Sequence, residues 1–235
     1  MRGLPDHAEF LRKAAEFEKL GLNSEVRRAG FSGWAPEVLV VKKAGKAEFP
    51  PVWGRLKDTI AEMSHRKCVY CEGPINAPRA AHVEHFKPKA LFPTLAFEWT
   101  NYFLGCPGCN GAKGDKWPKR GEYVRPDRGN PSRHFVFVED GTVRAAKPHS
   151  AADRMLDDFD LKREWLSDQR KLNIEEMLRL LDDAARFCCA GNVAQAKVLA
   201  ATILRNVSDP KRAYSAALTQ CFWRAWKSAC PGVKV

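Results

Sequence analysis

Residues 99–117 read WTNYFLGCPGCNGAKGDKW, with Cys106 and Cys109 held two residues apart. The same spacing recurs upstream in HRKCVYCEG, residues 65–73, at Cys68 and Cys71. Two intervening residues let both sulfurs of a pair reach one ion from a tight turn, so the four thiolates predict a closed tetrahedral Zn²⁺ site. Such a site has no open coordination position, so its zinc would hold the fold and do no catalysis. The competing reading of the spacing is two buried cysteine pairs without metal.

Between the pairs lies AAHVEHFKPKA, residues 80–90, which crowds His82, Glu84 and His85 into four positions. A zinc clip would fix the ends of whatever strand or loop presents them. Glu84 can ligate a hard divalent ion such as Mg²⁺ or Mn²⁺, and a neutral His85 can take the proton of a water that attacks a phosphodiester. Asn110, directly after Cys109, offers an amide oxygen to the same ion. On an extended strand, alternation puts His82 on the face of Glu84. Spacing alone leaves open that His82 and His85 are a second zinc pair or hydrogen-bonded buried histidines.

The bulk of the 235-residue chain is ordinary for a globular protein, with 45% hydrophobic residues. Its 39 Lys and Arg against 28 Asp and Glu leave a net charge of +11, which favours a polyanionic partner through counterion release, nucleic acid first. The N-terminal MRGLPDHAEFLRKAAEFEKL lacks the apolar core of a signal peptide, and no run approaches the roughly 20 apolar residues of a membrane span. The expected setting is therefore the cytoplasm, where paired cysteines point to metal before disulfides. Cys188, Cys189, Cys221 and Cys230 lack metal spacing and read as small buried hydrophobes or incidental surface thiols.

Along the chain, LPDHAEFLRKAAEFEKL predicts a first helix, with Asp6 as N-cap, Glu9 three residues on, and Phe10, Ala14, Phe17 and Leu20 at helical spacing. EVLVV, residues 37–41, predicts a short strand, and VWGRLKDTIAEMSHRK predicts a helix running to Cys68. From Cys68 to about Lys116 the sequence is loop-rich and polar, as in a small metal-organised module. HFVFVEDGTVRAA predicts a hairpin around Asp140-Gly141. After Pro148 the pattern is helical, with Leu172, Met177, Leu178, Leu181, Ala184, Ala185 and Cys188 assigned to one face. Ser208-Asp209-Pro210 predicts a cap and a proline-started final helix, in which Phe222 and Trp226 pack into the core.

The segments CVYCE, HVEHFKPK and WTNYFLGCPGCNGAKGD, in that order and spacing, resemble the HNH (ββα-metal) endonuclease signature with a four-cysteine zinc knuckle. With DRGNPSRHFVFVEDGTV and FDLKREWLSDQRK, they are similar to the PtuB-like HNH proteins of Septu and related retron anti-phage systems. The likeness covers roughly residues 67–170. It implies that Glu84 is the acidic metal ligand, His85 the general base, Asn110 the second metal ligand and Asn101 the middle asparagine that orients the catalytic loop. It gives His82 a part in holding the metal or a phosphate. Lys113, three residues after Asn110, is expected either to contact substrate phosphate or to lie in solvent. Two departures stand out, Glu84 where many relatives carry Asp and Asn110 where many carry His; both keep oxygen donors, which suits Mg²⁺ or Mn²⁺.

The expectation is an α+β, mainly helical chain. Residues 1–58 form an N-terminal region, 59–148 the nuclease core with zinc knuckle and hairpin, and 149–235 a C-terminal helical region. The expected activity is metal-dependent hydrolysis of nucleic acid, DNA in preference to RNA, in anti-phage defence. The resemblance also implies an ABC or SMC-like ATPase partner of PtuA type, since this chain carries no G-x-x-x-x-G-K-[ST] loop of its own. The competing function is a zinc-stabilised module that binds nucleic acid or protein without chemistry.

Overall fold

The computed structural model describes residues 41–43, 46–48 and 56–235, apart from 93, 94, 97 and 149. The helix predicted near the N-terminus lies outside the described residues, as does the EVLVV strand except for Val41. Val41 opens an antiparallel pair, β1 (Val41–Lys43) with β2 (Lys46–Glu48). Helix α1 spans Lys57–Met63 and buries Ile60, Ala61 and Met63. It stops short of the helix expected to reach Cys68. The Ser64 hydroxyl donates back to the Ala61 carbonyl, and His65 and Arg66 take positive φ of 51° and 54°, which turns the chain out of the helix.

The turn from Lys67 to Pro74 carries the first cysteine pair, Cys68 and Cys71. Its ends pair as an isolated bridge, and the Cys68 N–H donates to the Gly73 carbonyl at 2.9 Å. The Val69 N–H donates to Leu104, tying the knuckle to the strand that leads into the second cysteine pair. That strand, β4 (Tyr102–Gly105), runs antiparallel to β3 (His82–His85) in the register His82 to Gly105 and His85 to Tyr102. Helix α2 (Pro107–Lys113) follows at once, started by Pro107 and capped by the Cys106 sulfur, which accepts from the Cys109 N–H. The sequence thus folds locally as two strands and a helix.

A second hairpin, β5 (Phe135–Phe137) with β6 (Val143–Ala145), turns through Asp140-Gly141 as the sequence predicts. Gly141 is required twice over. Its φ is 83°, and a Cβ there would sit 2.0 Å from the Ser167 carbonyl oxygen. Helices α3 (Ala151–Asp158), α4 (Glu164–Cys189), α5 (Val193–Val207) and α6 (Ser215–Ala229) complete the chain. Helix α4 packs on both α5 and α6, and α6 covers β5, where Gln220 accepts from the Phe137 N–H and donates to the Phe135 carbonyl. Edge-to-face rings run from Phe86 through Trp117, Tyr123 and Phe159 to Tyr70, joining the β3–β4 pair to α3. The architecture is α+β and mainly helical, and one cluster of buried side chains extends from Leu56 to Cys230.

Two expectations for the helical half change. The buried face of α4 is Leu166, Arg170, Ile174, Met177, Leu181 and Ala184, and Leu172 projects into solvent. Leu172 precedes Ile174 by two residues, which a helix places about 200° apart. The last helix begins at Ser215, not at Pro210. Asp209 folds its carboxylate onto the Lys211 N–H, and Tyr214 takes a φ of 56° before the helix can start. The N-terminus of α6 is instead held from afar by the Glu72 carboxylate, which accepts from the Ala216 N–H at 2.9 Å and the Ser215 hydroxyl at 3.2 Å. Phe222 and Trp226 are buried in the core, Cys221 and Cys230 are buried, and Cys189 is exposed. Among the described residues no helix is long and apolar enough to cross a membrane.

Candidate active site and metal centre

The four knuckle sulfurs of Cys68, Cys71, Cys106 and Cys109 lie within 4.8 Å of one another, with Cys71 and Cys106 at 4.0 Å. A tetrahedron of roughly 2.3 Å Zn–S bonds has edges of roughly 3.8 Å. A disulfide needs roughly 2.05 Å, so the spacing fits four thiolates around one ion and excludes cross-links. Hydrogen bonds from the Cys109, Cys68 and Cys71 thiols hold Cys106 well below the ordinary thiol range, whereas burial pushes Cys68 well above it. The Arg163 guanidinium donates to Cys109 at 3.5 Å and to Cys106 at 3.8 Å, offsetting the negative charge that four thiolates leave on a zinc centre.

Beside the knuckle, β3 and α2 bring His82, Glu84 and Asn110 to one place. Gly105 faces them from β4. A Cβ on it would stand 3.2 Å from the Glu84 Cβ and 3.4 Å from the Asn110 Cβ, so the glycine makes room for both side chains to converge. The Asn110 Nδ2 donates to the His82 Nδ1 at 2.9 Å, which leaves the amide oxygen of Asn110 for another partner. Among the described residues, the four cysteines form the one group of three or more His, Cys, Asp and Glu ligand atoms that could hold a metal. His82 and His85 therefore do not assemble a second zinc site. Glu84, Asn110 and His82 offer two oxygens and a nitrogen, a set that suits an ion keeping most of its own water.

Glu84 is buried, and its carboxylate Oε1 accepts from the Tyr70 hydroxyl at 3.1 Å and forms an ion pair with the Lys113 ammonium. Lys113 is also buried and donates to the His85 carbonyl at 2.8 Å. Neither position expected for Lys113 is the one it takes: it is not solvated and its ammonium is spent inside the protein. Burial pushes the Glu84 carboxyl above the usual carboxylate range, against the pull of Lys113 and the Tyr70 hydrogen bond. Tyr70 is raised well above its ordinary value by burial and by the Glu84 charge, so it stays a neutral donor.

His85 Nε2 lies 2.9 Å from the Ala96 carbonyl, an acceptor only, so Nε2 carries the hydrogen and the neutral ring is basic at Nδ1. The same carbonyl accepts from the Tyr102 hydroxyl at 2.7 Å, and the Tyr102 ring stands edge-on to the imidazole. Burial lowers the His85 pKa to about 4, so the ring is neutral at physiological pH. Asn101 does not reach this group. Its Oδ1 accepts from the Lys87 N–H at 2.8 Å, and its Nδ2 donates to the Lys87 and Leu95 carbonyls at 3.0 Å, pinning both ends of the loop that supplies Ala96.

No family model matches the chain. It is 40% identical over 87 residues to the Septu protein PtuB of Bacillus thuringiensis, a stretch covering 36% of this chain and 34% of that protein. It is 22% identical over 213 residues to the Septu protein PtuB of Bacillus mycoides, covering 70% of this chain and 72% of that protein. The chain is PtuB-like. The stronger of the two likenesses thus spans about a third of the relative it matches.

Within this PtuB-like chain, four contributors to the site went unread in the sequence. Tyr70 sits between two cysteines of the cluster with nothing in its spacing to mark it as the Glu84 donor. Arg163 is 54 residues from the sulfur it contacts, beyond any local rule. The Ala96 carbonyl is a backbone atom and leaves no sequence signal. Gly105 alone was detectable, since a glycine ending the buried strand YFLG marks a close approach.

Proposed function

We propose that the chain is a metal-dependent HNH endonuclease that hydrolyses phosphodiester bonds of nucleic acid, with DNA preferred to RNA, and serves as the cytoplasmic nuclease of a Septu-type anti-phage system. The observation that carries the reading is the convergence of Glu84 and Asn110 across Gly105 on a strand–strand–helix unit clamped by four cysteines, with the next residue of the strand, His85, held as a neutral base. Glu84, Asn110 and His82 would hold Mg²⁺ or Mn²⁺, which when bound supplies Lewis-acid stabilisation of charge on the phosphate and the leaving oxygen.

The protein's own groups divide the remaining work. His85 Nδ1 takes the proton of the attacking water while the Ala96 carbonyl fixes the ring orientation. Asn101 holds the loop that carries Ala96 and so positions the base without touching substrate. Lys113 balances the buried Glu84 charge from behind. The net charge of +11 draws the polyanion to the protein. The names of the relatives support a protein partner, and an ATPase of PtuA type would gate the nuclease.

The test is cleavage of supercoiled plasmid, linear DNA and RNA with Mg²⁺, Mn²⁺ or EDTA, beside the His85→Ala variant and with the partner ATPase added. Cleavage that needs both metal and His85 supports the reading. One observation favours a second reading, a zinc-stabilised binding module: the Glu84 carboxylate already carries an ammonium partner. Nucleic-acid binding that survives EDTA, with no cleavage of any polymer in the presence of the ATPase, would favour that module.

A further inference from the structure

Helix α4 carries two apolar faces. Leu166, Ile174, Met177, Leu181 and Ala184 face inward, where α5 and α6 pack. About 110° round the helix from that face, Trp165 is 61% exposed, Leu172 57%, Leu180 54% and Phe187 39%. Their spacings of seven, eight and seven residues return to one side of a helix that turns 100° per residue, so they form a single stripe. The stripe is about 33 Å long. Large apolar side chains aligned in solvent along a charged helix mark an interface.

Symmetry within the stripe identifies its occupant. Trp165 and Phe187 lie eleven residues either side of Glu176, and Leu172 and Leu180 lie four either side. Two copies of α4 laid antiparallel about a two-fold axis at Glu176 therefore set Trp165 against the second copy's Phe187 and Leu172 against the second copy's Leu180. Such a contact is isologous, the same patch meeting itself.

The charges bordering the stripe obey nearly the same centre. Asp168 and Arg186 lie nine residues either side of Met177, and Glu175 and Arg179 lie two either side. All four occupy one flank, and a two-fold axis places the same flank of both copies side by side. Asp168 then faces the second copy's Arg186, and Glu175 the second copy's Arg179. Within one chain Glu175 contacts Lys171 at 3.9 Å and Arg179 at 3.8 Å, loose exposed pairs that can be shared across an interface. Glu176 meets its own like at the axis, but each carboxylate is engaged by Arg212 of its own chain at 2.8 Å.

We propose that the outer face of α4 is a homodimer interface, in which two copies pair antiparallel with Trp165 on Phe187, Leu172 on Leu180 and a flank of complementary charge. One helix pair buries less than a standard interface of roughly 1,600 Å², the size class of weak, concentration-dependent association.

The experiment is sedimentation equilibrium of the zinc-loaded full chain over concentrations from about 1 to about 200 μM, a range chosen to bracket such an interface. A dimer that forms within this range is the expected result, with Leu180→Glu monomeric throughout. Glu175→Arg should weaken association about tenfold, and adding Arg179→Glu to it should recover the wild-type constant, because the swap restores opposite charges. Leu180 and Arg179 are exposed and Glu175 is half-buried at the surface, so circular dichroism should show unchanged folding. A wild-type chain that is monomeric across the range would assign the face to a different partner and overturn the proposal. A dimer that survives Leu180→Glu would place the interface elsewhere, and a charge swap without recovery would overturn the antiparallel register.

Discussion

The Glu84 carboxylate and the Lys113 ammonium form an ion pair with both side chains almost fully buried, Lys113 reaching across from α2 to the strand that carries Glu84. The pair joins the two halves of the strand–strand–helix unit at the residue proposed to ligate the catalytic metal. Its two members have unequal consequences. Removing the lysine strands a charge, whereas removing both leaves a neutral pocket.

Lys113→Met should therefore destabilise the chain by about 3–5 kcal/mol, the cost of breaking a buried pair from one side. Glu84→Gln combined with Lys113→Met should cost less than Lys113→Met alone. Urea unfolding of the zinc-loaded variants measures both, and equal losses would mean that the two charges do not support each other.

His85 should titrate far below an ordinary histidine. Its pKa is lowered to about 4 by burial, against an unfolded value of about 6.5. Between these pH values the unfolded chain binds a proton that the folded chain does not, so stability rises as pH increases from about 4 to about 6.5. Nitrogen-15 NMR of labelled histidine should show the Nε2–H tautomer at neutral pH. Protonation of His85 near pH 6.5 would contradict the buried geometry.

Gly105→Val should separate Glu84 from Asn110, because its Cβ meets both side chains within 3.4 Å. Metal-dependent cleavage should fall about 10²-fold, the effect of a displacement on the order of 1 Å at a reacting centre. Zinc content measured alongside should be unchanged. Wild-type cleavage by this variant would show that convergence across Gly105 is not needed.

Removing a knuckle sulfur should act on folding before chemistry. Cys106→Ser should release the zinc and lower the unfolding midpoint, since a structural metal contributes its binding energy to folding. Arg163→Ala should keep the metal but weaken its affinity about 10–100-fold, as loss of an outer hydrogen bond to the ligands does. Competition with a chromogenic chelator reads the affinity, and an unchanged value would remove Arg163 from the centre.

The legible parts of the site are those written at short range. Two C-x-x-C pairs bring four sulfurs within 4.8 Å, and alternation in HVEH places His82 and Glu84 on one side of β3. The hairpin at Asp140-Gly141 follows from two adjacent residues and a turn preference. The start of α6 departs from the Pro210 signal because a distant carboxylate, Glu72, binds the N-terminus that forms at Ser215.

By itself the sequence determined the cysteine frame, the hairpin at Asp140-Gly141 and the basic charge, since spacing, turn preference and composition act over a few residues or need no geometry at all. Tertiary structure alone decided that Lys113 is a buried counterion, that Arg163 reaches the sulfurs, that Ala96 orients His85 and that Leu172 faces outward. Each of those outcomes depends on which surfaces pack together. Burial is a property of the whole fold, and it sets both the partner a charge must find and the side of a helix that meets water.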